Sequence, residues 1–141
     1  MESLKTKDIP QHALLLVDSA PIIYVIESNK RFAARFIPVF EAHAAGQVRF
    51  AVTTAVIAEV LTGPLRTGDE ALARRYRAIL ESWQVIDLTL DIAEGAARLR
   101  ASLNLKFGDA IQAASALAIN AYALMTHDRD FSRVRSLRLI S

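Results

Sequence analysis

Four acids stand where short apolar runs end or where helical segments begin: Asp18, Glu59, Asp109 and Asp128. Asp18 directly follows the run ALLLV at 13–17, and Asp128 follows a second run at 122–126. Glu59 falls in the second turn of a helix leaving the run at 48–52, and Asp109 in the first turn of a helix that starts at Phe107/Gly108. In a parallel α/β sheet, strand ends and helix starts share the carboxyl edge, where function concentrates. Four carboxylates far apart in sequence would then converge. Like charges a few ångströms apart raise one another's pKa and cannot all stay ionised without a counter-cation. A hard divalent cation meets that need, and an all-oxygen donor set favours magnesium or manganese. Such a metal activates water and stabilises charge on a phosphodiester oxygen, with no Ser, Cys or His nucleophile required.

Each acid alone has a plainer use. Asp18 can cap the helix that follows it. Asp109, with Gln112 three residues on, fits a capping box. Glu59 shares a helix side with Ala55, Thr62 and Gly63, away from the apolar side Val56, Ile57, Val60 and Leu61, as a solvated residue would. Asp128 can be a turn residue. Four independent caps need not share one edge, so the joint pattern is more specific than any member.

The elements that must position these acids alternate along the chain. Strands are expected at 13–17, 48–52, 84–87 and 122–126, with a short fifth at 137–140. Pro21 suits the first turn of a helix. Further helices are expected at 30–45, stopped by Gly46; from caps Thr53/Thr54 through 61, closed by Gly63-Pro64; and at 69–83, 90–103 and 108–120. Strands separated by helices along the whole chain imply one doubly wound α/β domain: a parallel sheet of four to five strands with helices on both faces. The chain of 141 residues fits one domain, and roughly 68–70% burial on folding suffices at about this size without a staple. Residues 1–12 read as a polar lead-in with room for disorder, and 13–141 as the globular domain.

Composition narrows the chemistry. The absence of cysteine removes disulfides, thiol nucleophiles and thiolate metal sites, and permits a reducing cytoplasm. A net charge of +2 and a pI near 9.2 are compatible with a nucleic-acid partner without demanding one. The most apolar stretch, 110–125, is interrupted by Gln112, Ser115 and Asn120 and reads as no membrane span. No Gly-rich phosphate loop is present. A haloacid-dehalogenase-type phosphatase would want a second Asp two residues after Asp18, and a receiver domain paired acids and a late Lys; neither pattern occurs. Cations able to draw a polyanion to an acidic cleft are Arg66, Lys106, Arg129 and Arg133, which flank the acidic blocks. Arg74, Arg75 and Arg77 suit an ordinary solvated helix face. Trp83 suits the core better than a base-stacking platform.

At these blocks the chain resembles the PIN-domain family, from Leu14 to about Leu139. The blocks are LLVDS ending at Ser19, TTAVIAEVLTGPL around Glu59, LKFGDAIQAASAL around Asp109, and LMTHDRDF with Thr126, Asp128 and Asp130. Four weak-to-moderate motifs in order, at family-like spacing, make a strong signal. Small size and the single-domain layout resemble VapC toxins of bacterial toxin–antitoxin pairs. The resemblance implies that Asp18 and Asp109 are the main magnesium ligands (manganese being the alternative ion), with Glu59 completing the site. Asp128 would be the fourth acid, with Asp130 its rival. Ser19 and Thr126 would orient carboxylates through hydrogen bonds. The implied reaction is hydrolysis of RNA to a 5′-phosphate and a 3′-hydroxyl. The implied partners are a second copy of the chain and a VapB-like antitoxin draped over the cleft, in the cytoplasm. The alternative is a non-catalytic PIN-fold module that binds RNA or protein. Two departures stand out: a lead-in longer than usual for the family, and His127 between Thr and Asp, expected as an exposed loop residue rather than a metal ligand.

Overall fold

Strand β1 (Leu14–Val17) consists of four apolar residues, all buried. A run with no polar face can only be a strand covered on both sides. In the computed structural model, which describes residues 5–141, β1 is the centre of a five-stranded parallel sheet. The other strands are β2 (Arg49–Thr53), β3 (Gln84–Ile86), β4 (Ala123–Met125) and β5 (Leu139–Ile140), in the order β3-β2-β1-β4-β5.

Helices α1 (Ser19–Ile26), α2 (Ala33–Ala44), α3 (Thr54–Arg66) and α4 (Glu70–Glu81) connect β1 to β2 and β2 to β3. Helices α5 (Leu90–Leu103) and α6 (Phe107–Ala118) carry the chain from β3 back to β4. The period-2 alternation of β1 divides the core accordingly. Leu15 and Val17 pack with residues of the first four helices, while Leu14 and Leu16 pack with Ile92, Ala96, Ala110 and Ala113 of the last two. Parallel crossovers of one hand must change face when they change direction. The chain moves from β1 towards β3, then returns past β1 to β4, so the direction reverses between β1 and β4. A crevice opens at the carboxyl ends of two such strands. Asp18 follows β1 and Thr126 follows β4, so the fold itself delivers both to that crevice.

Several boundaries differ from the sequence expectation for local reasons. α3 is not closed by Gly63-Pro64 but runs to Arg66 with Pro64 inside it and buried. A proline there forfeits one N–H bond and crowds the carbonyl four residues back, and burial of its ring adds apolar contact that offsets this. The stop is Gly68, at φ +75°. The N–H groups of Gly68 and Asp69 donate to the carbonyls of Leu65 (3.1 Å) and Pro64 (2.9 Å), the paired bonds of a Schellman ending. α2 starts at Ala33 rather than at 30, because Asn29 Oδ1 accepts from the N–H groups of Arg31 and Phe32, both at 2.9 Å. Thr53, not Thr54, caps α3: its Oγ1 accepts from Val56 N at 3.1 Å. Ahead of β1, Thr6–Asp8 form a 3-10 turn, Ile9 packs against the core, and His12 N donates to Gln47 O at 2.7 Å. Residues 1–4 of the lead-in lie outside the described residues. Trp83 is 9% exposed, a core residue. No helix among the described residues is long and apolar enough to cross a membrane.

Candidate active site

Asp18 sits at the hinge between β1 and α1, and its carboxylate is held from the start of α1, the middle of α6 and the end of β4. Oδ1 accepts from Ser19 N at 3.0 Å and from Gln112 Nε2 on α6 at 3.4 Å. Oδ2 accepts from Thr126 Oγ1, just past β4, at 2.8 Å. Thr126 is fully buried, and its Oγ1 also accepts from Asp128 N at 3.0 Å. One hydroxyl thus ties the ends of the two central strands together. Asp128 Oδ1 in turn accepts from Asp130 N at 2.9 Å. Both acids are also caps: Asp18 is the N-cap of α1, and Asp128 that of the 3-10 segment Arg129–Arg133.

These ties orient four carboxylates into one cleft. It measures about 310 Å³, and its lining includes Asp18, Glu59, Asp109, Gln112, His127 and Asp128. Glu59 reaches it from α3, where its Oε2 accepts from Ser19 Oγ at 3.4 Å. Asp109 is no cap: Lys106 holds that position, and Asp109 lies inside the first turn of α6. Carboxylate oxygens of Asp109, Asp128 and Asp130 all lie within 4.8 Å of one another. Asp130 therefore shares the acidic cluster without lining the cleft, and its carboxylate is 3.7 Å from the Arg133 guanidinium. Asp128 belongs to both groupings.

The electrostatics are those of a site short of positive charge. Burial, then the charges of Asp128 and Asp18, push the Asp109 carboxyl up to about 6. Lys106 is the cation that pulls the other way, and it does not prevail. Burial also raises Asp18, against the hydrogen bonds from Thr126 and Ser19, and raises Glu59, with the Asp18 charge adding to it. Asp109 Oδ2 is buried and has no hydrogen-bond partner among the described residues. A buried carboxylate oxygen without a donor is costly, and native structures rarely leave one so. The donor set is all carboxylate oxygen, which fits a hard divalent cation. The site's own chemistry, and not only its outline, therefore suits a metal.

Sequence reasoning missed the roles of Gln112 and Tyr24 and misjudged the exposure of His127. Gln112 is not the partner of an Asp109 cap. It is 4% exposed, its Nε2 donates to Asp18, and its Oε1 accepts from Thr53 Oγ1 at 2.6 Å. Its place on the buried side of α6 was the available signal, since a buried amide must find partners. Gln112→Leu is expected to cost about 1–3 kcal/mol of stability, because it strands the Thr53 hydroxyl; a urea midpoint equal to wild type would refute this chain of bonds. Tyr24 was also unforeseen. Its hydroxyl meets His127 Nδ1 at 2.8 Å, and the His127 ring packs on Tyr24, Phe32 and Phe36. His127 is thus a half-buried wall of the cleft rather than an exposed loop residue. Arg66, Lys106, Arg129 and Arg133 are all exposed. Arg66 lies seven residues beyond Glu59, two helical turns along one face of α3.

The family model for the PIN domain matches residues 15–137. No curated protein matches the chain. Among solved structures, it is similar to a toxin–antitoxin complex from Klebsiella pneumoniae, with 23% identity, TM-score 0.71, and coverage of 90% of this chain and 96% of the other. It is similar also to VapBC2 from Rickettsia felis bound to a DNA fragment of its promoter, with 22% identity, TM-score 0.70, and coverage of 89% and 96%. A third is VapC20 of Mycobacterium tuberculosis, a sarcin–ricin loop cleaving toxin, with 19% identity, TM-score 0.68, and coverage of 85% and 94%.

Proposed function

Because this chain belongs to the PIN-domain family, we propose that it is a magnesium-dependent endoribonuclease, the toxin of a VapBC-like toxin–antitoxin pair. The observation that carries the reading is the convergence of Asp18, Glu59, Asp109 and Asp128 on one cleft, with a buried and undonated oxygen on Asp109. In this reading Asp18, Asp109 and Asp128 hold the cation, Glu59 completes the set, and Asp130 stands behind Asp128. A bound magnesium or manganese ion would supply Lewis acidity towards water and towards a phosphodiester oxygen.

The protein's own groups do the rest. Thr126, Ser19 and Gln112 fix both oxygens of Asp18, so that the carboxylate stays oriented when substrate arrives. Glu59 is exposed, and its oxygen is free to meet solvent or substrate at the mouth. Lys106, Arg66, Arg129 and Arg133 offset the repulsion between an acidic cleft and a phosphate backbone. The likeness in fold to a sarcin–ricin loop cleaving toxin favours RNA as the substrate class. The partner is a VapB-like antitoxin, and the working form a cytoplasmic homodimer whose nuclease domain is 13–141.

The test is cleavage of structured RNAs by the purified chain in EDTA, magnesium or manganese. Cleavage is expected only with metal, and Asp18→Ala is expected to lower it by about 10³-fold, the equivalent of several kcal/mol. Equal cleavage in EDTA, or by Asp18→Ala, contradicts the reading. Tight RNA binding with no cleavage under any metal would instead leave a non-catalytic PIN module.

A further inference from the structure

The turn between α1 and α2 borders the acidic cleft and carries the opposite charge. Phe32 packs on His127 at 4.7 Å and on Tyr24 at 5.0 Å between ring centroids, and His127 lines the cleft. Two guanidiniums lie against the Phe32 ring, Arg31 at 4.9 Å and Arg35 at 5.9 Å. Both arginines are exposed, and neither forms an ion pair among the described residues. The turn is also held in place: Asn29 N donates to Tyr24 O at 2.8 Å, and Asn29 Oδ1 accepts from Arg31 N and Phe32 N.

We propose that Arg31 and Arg35, stacked on Phe32, form a subsite for single-stranded RNA on the wall of the cleft. The inference rests on the ribonuclease reading and adds where the strand lies. Three physical arguments meet here. A cleft of carboxylates repels phosphates, so binding energy must come from cations at its edge. Single-stranded RNA is gripped by the combination of positive charge with planar stacking groups, and a guanidinium on an aromatic ring offers both. The contact chain Arg31–Phe32–His127 is continuous with the residue next to Asp128, so a strand held here leads into the acids. The arginines are already ordered by the ring, which lowers the entropy lost on binding.

The experiment is anisotropy of a labelled, unstructured oligoribonucleotide titrated with the full chain in EDTA, where metal-dependent cleavage cannot intervene. R31A/R35A is expected to weaken binding roughly tenfold near 0.1 M salt, and to reduce the slope of log K against log salt by about 1.4, two single-strand phosphates at about 0.7 each. R74A/R77A on α4 serves as the control and should change neither. Wild-type affinity and slope in R31A/R35A would overturn the subsite. So would a loss of the same size in the control, which would mean diffuse attraction. Unchanged RNA binding with loss of a co-expressed antitoxin would overturn it too, in favour of a protein-docking face. The subsite and the nuclease reading fail separately: a wild-type chain that cleaves with metal while R31A/R35A binds normally loses only the subsite. A chain that binds through Arg31 and Arg35 yet never cleaves loses only the nuclease.

Discussion

Asp109→Asn is expected to do two opposite things: to remove RNA cleavage and to make the protein more stable. The first follows from its place. Asp109 offers the buried Oδ2 that no donor reaches, one of its carboxylate oxygens lies within 4.8 Å of Asp128 and Asp130 oxygens, and an amide cannot supply that charge to a cation. A loss of about 10³-fold in cleavage is expected. The second follows from the same crowding. Burial and the neighbouring charges raise the Asp109 carboxyl from 3.8 to about 6. The folded state therefore holds this proton more tightly than the unfolded chain. Stability contributed by the site falls as pH rises from about 4 to about 6, and the full penalty stands at neutral pH. Asparagine carries no charge and escapes it. After discounting for a partly exposed group, the gain is about 1 kcal/mol, or roughly 3 °C in Tm at pH 7.5. At pH 4, where the folded acid is protonated and the unfolded one about half so, the gain should shrink to a small fraction. Thermal melts of both proteins at the two pH values check this. A variant less stable than wild type at pH 7.5 would show that Asp109 is a structural acid and not a strained one.

That trade explains which parts of the site were legible in the sequence. An acid at the end of a buried strand can be found because two periodicities meet there, and Asp18 and Asp128 mark such junctions, while Asp109 marks the start of a helix. The doubly wound sheet followed from helices separating every apolar run from the next. Asp128 and Asp130 could not be separated by spacing alone. What distinguishes them is a bond pattern: Asp128 N answers Thr126, while the Asp130 carboxylate faces Arg133. The distant partners of Gln112, Thr53 and Tyr24 were illegible for a related reason. They lie 94, 59 and 103 residues away in sequence, and nothing local announces a hydrogen bond that long. The closure of α3 failed differently. Gly63-Pro64 is a strong local stop, but burial of Pro64 overrode it and moved the stop to Gly68.

Magnesium or manganese is expected to raise Tm strongly at pH 7.5 and much less at pH 5. A cation competes with protons for carboxylates, so its affinity tracks their ionisation. Asp18, Glu59 and Asp109 all titrate above their ordinary range, Asp109 at about 6. Above that value the metal-free site carries its charges uncompensated, and a divalent ion removes the repulsion. Below it Asp109 holds a proton, which the ion must displace first. At 100 times Kd the linkage is about 2.7 kcal/mol, roughly 6–10 °C for a domain of this size. Each unit of pH below 6 should then weaken binding by up to about tenfold for every proton displaced. Asp109→Asn supplies the control, since it raises Tm without metal and should respond little to metal. A shift of the same size at both pH values, or one retained in Asp109→Asn, would mean that the ion binds elsewhere. The raised carboxyls would then reflect burial alone and not a site built for a cation.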